Sequence, residues 1–438
     1  MTSSSSSRLP AERSVRLVLA VLLAVFVASA VRNIKEEGDF RGYLEVGELL
    51  LRGGDIYADA RPDVNTWPPL FSVVCVPFAL LARVSVYLAR GVWLLLNAGL
   101  IVGLLQMTIR LTYGRPLTLG AGGISLASAA VLGPLVLSSR FFLGNLDRLQ
   151  INVFILFCSV AGCLLLARGR PGTGGAVIGV AAAIKVLPVF FVPYFAWKRW
   201  WAALAGTLTA GVTCSLLPIV VFGPTVYWTY VQRWLEIASG GWPVRKGNQS
   251  VYAMVDRLYT HGAVFWSPAH MRLTASGDPM VAAAVYGLLL VVVVLSLHVT
   301  RRGGRDPAGA AAITEYALVL CVAVLFSPLA WKHYFVFLWP GYVALWRMAF
   351  NAETDAAIGV GRLATVPEWP VVPATARRRL VYLVTASFVL TTLSVRGVVG
   401  KEASLTLETL SAVTLGALLV LGALLYVRAV LGTGETEE

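Results

Sequence analysis

Residues 14–32 read SVRLVLAVLLAVFVASAVR, and from Leu17 to Val31 the run carries no charge. A helix crossing a bilayer needs roughly 20 mainly apolar residues, because every backbone N–H and C=O must be satisfied within the segment. Arg8, Arg13 and Arg16 precede the run, as they would in a secretion signal, but it is long and ends in Val31-Arg32-Asn33. It reads as an uncleaved first transmembrane helix. The same ruler carried along the chain finds further spans near 67–83, 86–109, 118–138, 149–168, 174–197, 201–222, 280–299, 310–328, 333–349, 379–399 and 406–430. The expected fold is therefore an all-α polytopic membrane protein with about 11–13 transmembrane helices.

Composition agrees, with 57% hydrophobic and only 13% charged residues. The net charge of +13 comes from Lys and Arg scattered at span ends, which is cytoplasmic anchoring charge and not a nucleic-acid surface. Cys75, Cys158, Cys163, Cys214 and Cys321 all fall in apolar segments without metal-ligand or disulfide spacing, and read as core residues with no metal site.

Positive charge marks the cytoplasmic ends of spans. Arg8, Arg13 and Arg16 place the N-terminus inside, so loop 33–66 faces outward. Lys198-Arg199 place the turn after residue 197 inside, which sends loop 223–279 outside. Arg301, Arg302 and Arg305, then Arg347 and Arg377-Arg378-Arg379, mark inner loops, and the C-terminus returns to the cytoplasm. Strict alternation leaves Arg110, Arg115, Arg168 and Arg170 outside, against the rule. A re-entrant hairpin over 174–197, broken at Lys185-Val186-Leu187-Pro188, makes both 168–172 and 198–199 cytoplasmic and turns a loop at 140–148 outward. That leaves an odd number of crossings between 67 and 140, so that one segment there does not span. Both arrangements keep the two long loops outside.

Four features carry possible chemistry. Loop 33–66 holds Glu36, Glu37, Asp39, Glu45, Glu48, Asp55, Asp59 and Asp63, about a third of the 23 acidic residues. Its first half has helical spacing, with Phe40, Tyr43, Val46, Gly47 and Leu50 on one apolar face, so a helix in the plane of the membrane interface is expected. Asp39 sits within a turn or two of the outer end of the first span; periodicity does not separate it from Glu36 and Glu37, nor from a solvated juxtamembrane acid. Lys185 lies in the middle of an apolar stretch, where an ammonium is costly unless paired or hydrated. Ser327-Pro328-Leu329-Ala330-Trp331-Lys332-His333-Tyr334 puts a cation and an imidazole at the outer face, where an aromatic-belt anchor is the bland alternative. Residues 241–258 contain Arg245, Lys246, Asn248, Gln249 and Arg257, which would suit an anion or simply a polar loop. Together these describe an outward-facing acid near several cations at the depth of a lipid headgroup.

The order of the motifs resembles glycosyltransferase family 87 over roughly residues 30 to 345. Asp39-Phe40 with Tyr43-Leu44, Gly53-Gly54-Asp55-Ile56-Tyr57 and Trp67-Pro68-Pro69-Leu70 resemble its opening. Gly144-Asn145 with Gln150-Ile151-Asn152 looks like a disturbed Gly-Gln-x-Asn segment, interrupted by Leu146-Asp147. Ile184-Lys185-Val186-Leu187-Pro188 resembles a Lys-x-x-Pro helix and Lys198-Arg199-Trp200 the basic turn after it. Asn248-Gln249-Ser250 with Arg257 resembles an Asn-Gln-Ser loop, and Ser327-Pro328 with Trp331 and His333 a Ser-Pro-x-x-Trp-x-His motif. Trp67 stands where Tyr is commoner, and Tyr334 replaces a frequent second His.

The resemblance implies a GT-C-type bundle and transfer of a sugar, mannose in known members, from a polyprenyl-phosphate donor. It implies Asp39 as catalytic base, Lys185, Arg257, Lys332 and His333 around the donor phosphate, and Tyr43, Tyr57, Asn248 and Gln249 on acceptor or sugar. No cofactor is implied beyond the lipid-linked donor itself, and the partners are a glycolipid or glycan acceptor and membrane lipids. A nucleotide-sugar donor is disfavoured, since the chain has neither an extramembrane domain nor an Asp-x-Asp metal motif in an outer loop. The expected organisation is a transmembrane catalytic module at 1–350, a cytoplasmic linker at 351–376, and C-terminal transmembrane helices with a short tail at 377–438. The alternative is a secondary transporter or flippase of a lipid-linked or small anionic substrate, for which Lys185 beside a broken helix is a familiar device. Against it, no internal repeat relates the two halves of the chain. A polysaccharide polymerase or ligase would place its large outer loop late, whereas the key loop here is the first.

Overall fold

The computed structural model describes residues 8–35, 38–60, 65–119, 123–239, 243–260, 277–301, 306–350, 369 and 372–433. Glu36, Glu37, Asp63, Arg302, Arg305 and most of the expected linker lie outside the described residues. The helices in chain order are α1 (Arg8–Lys35), α2 (Phe40–Leu51), α3 (Pro69–Val84), α4 (Val86–Tyr113), α5 (Ala129–Arg148), α6 (Asn152–Ala167), α7 (Pro171–Ile184) and α8 (Phe191–Lys198). They continue as α9 (Trp201–Leu216), α10 (Ile219–Phe222), α11 (Pro224–Ser239), α12 (Val251–Thr260), α13 (Pro279–Thr300), α14 (Ala310–Phe326) and α15 (Trp339–Phe350). The last four are α16 (Ala374–Phe388), α17 (Arg396–Val399), α18 (Lys401–Thr409) and α19 (Ala412–Thr433).

Among the described residues six helical stretches are long and apolar enough to cross a bilayer: Arg13–Asn33, Val86–Tyr113, Ala129–Arg148, Trp201–Phe222, Pro279–Thr300 and Ala412–Leu431. Four shorter apolar helices, Pro69–Val84, Asn152–Ala167, Pro171–Ile184 and Ala310–Phe326, accompany them. Leu17, Leu23, Val102, Val220 and Leu290 are exposed on these helices, an apolar outer surface that only lipid covers without cost. The chain is a polytopic helical membrane protein. Several expected spans appear as shorter pieces because backbone breaks divide them. One is the 3₁₀ turn Leu187–Phe190, another the 3₁₀ turn Lys332–Leu338, and a third the π-helical turn Val389–Leu393.

Two expectations are corrected. Residues 118–138 do not form one span: Leu117–Thr118 pairs in parallel with Ile124–Ser125, and α5 starts only at Ala129. The sequence between the two strands contains Gly120, Gly122 and Gly123, whose backbone entropy disfavours helix. Residues 140–148, an outward loop in the re-entrant-hairpin arrangement, are instead the last turns of α5.

The chain divides into two compact units, one of residues 19–104 and 143–240, the other of residues 1–18, 105–142 and 241–438. The C-terminal helices thus share a unit with residues 241–350. In the first unit, helices α7 and α9 meet through small residues. A Cβ on Gly175 would lie 2.0 Å from the Ala203 carbonyl oxygen and one on Gly179 2.3 Å from that of Thr207, so only glycine permits this approach. Helix α7 stops at Ile184 because Pro188 has no N–H for the Ile184 carbonyl and its ring crowds that turn. The break expected at Lys185–Pro188 is present, with Lys185 in extended conformation.

Helix α2 forms as its spacing predicts, but its apolar face is covered by protein. Phe40, Tyr43 and Val46 are fully buried, Phe40 stacks on Trp93 of α4 at 5.5 Å, and Tyr43 meets Phe71 of α3 edge-on at 4.9 Å. A side chain at Gly47 would strike the Cys75 carbonyl oxygen at 2.9 Å, so glycine is what seats α2 on α3. In the second unit, Glu315 of α14 and Arg428 of α19 pair at 2.6 Å with side chains 1% and 0% exposed, each the counter-ion that lets the other stay buried.

Candidate active site

Asp39 precedes the first turn of α2. Its backbone N–H donates to the Arg148 carbonyl at 3.1 Å, tying the start of α2 to the end of α5. Gly38 makes the approach possible: it has φ +50°, and a Cβ there would lie 2.9 Å from the same carbonyl oxygen. An aspartate at this position usually caps its helix by accepting from an early backbone N–H, for about 1 kcal/mol. Asp39 makes no such bond. Its Oδ2 instead accepts from Gln150 Nε2, and its Oδ1 lies 3.8 Å from Arg148 Nη1. The Asp39 side chain remains 39% exposed and that of Arg148 62%. Burial raises the Asp39 carboxyl above the usual carboxylate range, against the opposing pull of Arg148, Lys185 and the Gln150 hydrogen bond.

The partner residues come from the turn between α5 and α6. Leu149 holds φ +52°, a left-handed conformation costing a residue with a Cβ about 1–2 kcal/mol. The turn is pinned by Trp93 Nε1 donating to the Leu149 carbonyl at 2.7 Å and by Gln150 N–H donating to the Asn145 carbonyl at 2.9 Å. It aims Gln150 at Asp39 on one side and at Tyr43 on the other, where the Tyr43 hydroxyl donates to Gln150 Oε1 at 3.2 Å. That hydroxyl oxygen accepts from Ile151 N–H at 3.3 Å. Beyond the turn, Lys185 is 7% exposed and its ammonium donates to Asn152 Oδ1 at 2.7 Å, while Asn152 Nδ2 donates to Asn145 Oδ1 at 3.1 Å. The helix break at Pro188 is therefore what delivers a buried cation into the field of Asp39.

Of the sequence candidates, the structure brings Asp39, Tyr43 and Lys185 together. Arg148, Gln150, Asn145 and Asn152 complete the cluster and had no assigned role. The signal that could have found them was the polar run from Asn145 to Asn152 between two apolar helices. Tyr57 belongs to a separate arrangement: its hydroxyl donates to the Trp67 carbonyl at 2.7 Å and its ring meets Tyr230 at 5.6 Å. The adjacent Asp55 pairs with Arg233 of α11, fixing the loop after α2.

The remaining candidates lie in the second unit. Asn248 donates to the carbonyls of Pro243 at 2.9 Å and Pro328 at 3.0 Å, and its Oδ1 accepts from Ala330 N–H at 3.0 Å. Gln249 donates from Nε2 to the carbonyls of Lys246 at 2.6 Å and Glu408 at 2.7 Å. Arg257, fully buried, donates from Nη1 to the carbonyls of Val244 at 2.9 Å and Asn248 at 2.8 Å, and from Nη2 to Ser411 Oγ at 2.6 Å. Lys332 pairs with Glu408 at 2.6 Å, and the same carboxylate takes Arg140 at 3.2 Å. His333 is half-buried, with its ring 5.1 Å from that of Tyr334. Glu408 and Arg140 were not among the candidates; only the three-dimensional approach of α18 to the Lys332 turn discloses them.

A sequence model of glycosyltransferase family 87 matches residues 65–328, more than half of the chain, including Gln150, Asn152, Lys185, Asn248, Gln249 and Arg257. A polyprenol-phosphate-mannose-dependent alpha-(1-2)-phosphatidylinositol mannoside mannosyltransferase of Mycolicibacterium smegmatis is 23% identical over 325 residues, 72% of this chain and 69% of its own. A polyprenol-phosphate-mannose-dependent alpha-(1-2)-phosphatidylinositol pentamannoside mannosyltransferase of Mycobacterium tuberculosis is 24% identical over 295 residues, 66% of this chain and 60% of its own. Among solved structures, ArnT from Cupriavidus metallidurans bound to undecaprenyl phosphate aligns with a TM-score of 0.43 at 18% identity, covering 96% of this chain and 78% of that one.

Proposed function

The chain belongs to glycosyltransferase family 87, and from that premise we propose that it moves a sugar from a polyprenyl-phosphate donor to a glycolipid or glycan acceptor on the extracytoplasmic face. The relatives' names support mannose as the sugar and an inositol-containing glycolipid as the acceptor class. Family membership sets aside the transporter reading.

The observation that carries the mechanism is the setting of Asp39: a half-exposed carboxylate that has given up its helix-cap bond, with one oxygen held by Gln150 and a buried ammonium acting on it. In this reading the acceptor hydroxyl attacks the anomeric carbon of the donor as Asp39 takes its proton. The bond from the anomeric carbon to the phosphate oxygen breaks and polyprenyl phosphate departs. A single displacement inverts the centre, so a β-linked donor gives an α-linkage. The leaving group is already a phosphate, so it needs positive charge more than a general acid. Lys185 supplies that charge in this reading. Arg257, Asn248 and Gln249, whose donors are directed mainly at backbone carbonyls, are assigned to holding the shape of their own loop.

The test uses purified protein in lipid with radiolabelled polyprenyl-phosphate-mannose and a membrane glycolipid extract. Wild type is expected to produce a larger labelled glycolipid and Asp39→Asn, equally well folded, to produce none. Normal transfer by Asp39→Asn would overturn the assignment of the base. Transfer of a different sugar from the same carrier would correct the donor and leave the reaction class intact.

A further inference from the structure

The hydrogen bonds around Gln150 fix more than the position of a side chain. A carboxamide has a donating and an accepting end that exchange on a half-turn, so its orientation follows from its neighbours. Ile151 N–H can only donate, so the Tyr43 oxygen accepts from it and the Tyr43 hydrogen points to Gln150 Oε1. Gln150 Nε2 is then the end that faces Asp39. The backbone enforces the arrangement. Leu149 is held at φ +52° by a 2.7 Å bond from Trp93, and Asp39 N–H is tied to the carbonyl of Arg148, one residue earlier in the same turn.

We propose that Gln150, clamped by Tyr43, is the positioning residue for the base, holding Asp39 Oδ2 and leaving Oδ1 as the oxygen that takes the acceptor's proton. This rests on the reading of Asp39 as the base. The N–H engages one of the two lone pairs of Oδ2 and draws electron density from that oxygen, which favours protonation at Oδ1, where Gln150 does not donate. Arg148, 3.8 Å from Oδ1 and largely exposed, does not occupy that oxygen. Among the described residues, the charged groups that act on the carboxylate are Arg148 from the end of α5 and Lys185 from the break after α7. Removing the Gln150 donor takes away a bond to the ionised form and leaves those two charges in place, so the carboxyl becomes harder to ionise.

The experiment measures kcat, KM and the pH profile of transfer for Gln150→Ala, Gln150→Glu and Tyr43→Phe, with thermal unfolding in parallel. Gln150→Ala is expected to lower kcat about 10–100-fold with KM little changed, and to move the acid limb of the profile to higher pH. Tyr43→Phe should shift the limb the same way with a smaller loss, about 3–10-fold, because Gln150 is then free to flip. Gln150→Glu, nearly isosteric, sets a second carboxylate against Oδ2 and should move the limb furthest. If Gln150→Ala fails to fold, Gln150→Glu and Tyr43→Phe decide by the same limb. An unmoved acid limb in the folded variants, with losses that follow the folded fraction or appear in KM, would make Gln150 a structural residue and overturn the proposal. Asp39→Asn separates the two levels. Its retained activity would sink the base and the positioning role together, whereas an inactive Asp39→Asn beside a normal Gln150→Ala would sink only the latter.

Discussion

Lys185 and Arg257 are both buried cations at motifs that resemble the same family, and their surroundings treat them in opposite ways. Arg257 is spent on backbone: its guanidinium bonds to the carbonyls of Val244, Arg245 and Asn248 and to Ser411 Oγ. Lys185 donates to a side-chain amide, that of Asn152, and its charge reaches Asp39. A guanidinium bonded in several directions holds a loop in shape. An ammonium set at a helix break near a carboxylate can change partners when an anion arrives. The contrast shows that a motif match marks a residue as needed without saying whether it is needed for the fold or for the chemistry.

Paired substitutions break or sharpen that contrast. Asp39→Asn should reduce transfer by a factor on the order of 10²–10⁴ without lowering the unfolding temperature in detergent. Arg257→Met should do the reverse. It leaves several buried acceptors without a donor, which costs roughly 3 kcal/mol of stability, while the folded fraction keeps its rate. Full stability of Arg257→Met together with lost transfer would move Arg257 into the donor site. Next comes Lys185→Met, expected to lower transfer by about two orders of magnitude through the leaving phosphate. An unchanged rate for that variant would leave Lys185 as no more than a partner of Asn152. Glu408→Gln is expected to act more weakly. Lys332 and Arg140 lose a shared counter-charge, which costs about 1–3 kcal/mol in a partly buried site, and transfer per folded molecule should hold.

The two kinds of site were not equally legible in the sequence. Long apolar helices such as α1 and α13, the helix break at Pro188 and the amphipathic α2 follow from local rules of hydropathy, missing N–H groups and periodicity, whereas the strand pair that shortens the span expected at 118–138 does not. Asp39 is singled out as the proposed base by the resemblance, since spacing alone does not separate it from Glu36 and Glu37. The polar run from Asn145 to Asn152 marks Gln150 as a candidate, but its partner does not follow from any local pattern, because the tie between Asp39 N–H and the Arg148 carbonyl spans more than a hundred residues. The Leu149 turn was equally hidden, because leucine does not advertise a left-handed conformation as glycine would. Covering of the α2 face by α3 and Trp93, in place of lipid, is another non-local outcome: an apolar stripe states that it will be buried but not by what.

The smallest effect tests the site from the side of stability. Asp39 ionises less readily in the folded chain than an ordinary aspartate, chiefly because it is partly buried. A carboxyl with a raised folded pKa contributes stability that is fully present below its unfolded value, about 3.9, and that is lost as the pH rises through the folded value. At neutral pH the wild type therefore holds a carboxylate the fold disfavours, and Asp39→Asn removes that burden while its carboxamide oxygen can still accept from Gln150. The variant should unfold at a slightly higher temperature than wild type near pH 7, and the two should converge as the pH falls below about 4. If Asp39 is the base, transfer is expected to move oppositely and to be lost as Asp39 takes up a proton. A less stable Asp39→Asn at neutral pH would mean that Arg148 and Lys185 outweigh burial, and that this carboxylate stabilises the fold like an ordinary ion-pair partner.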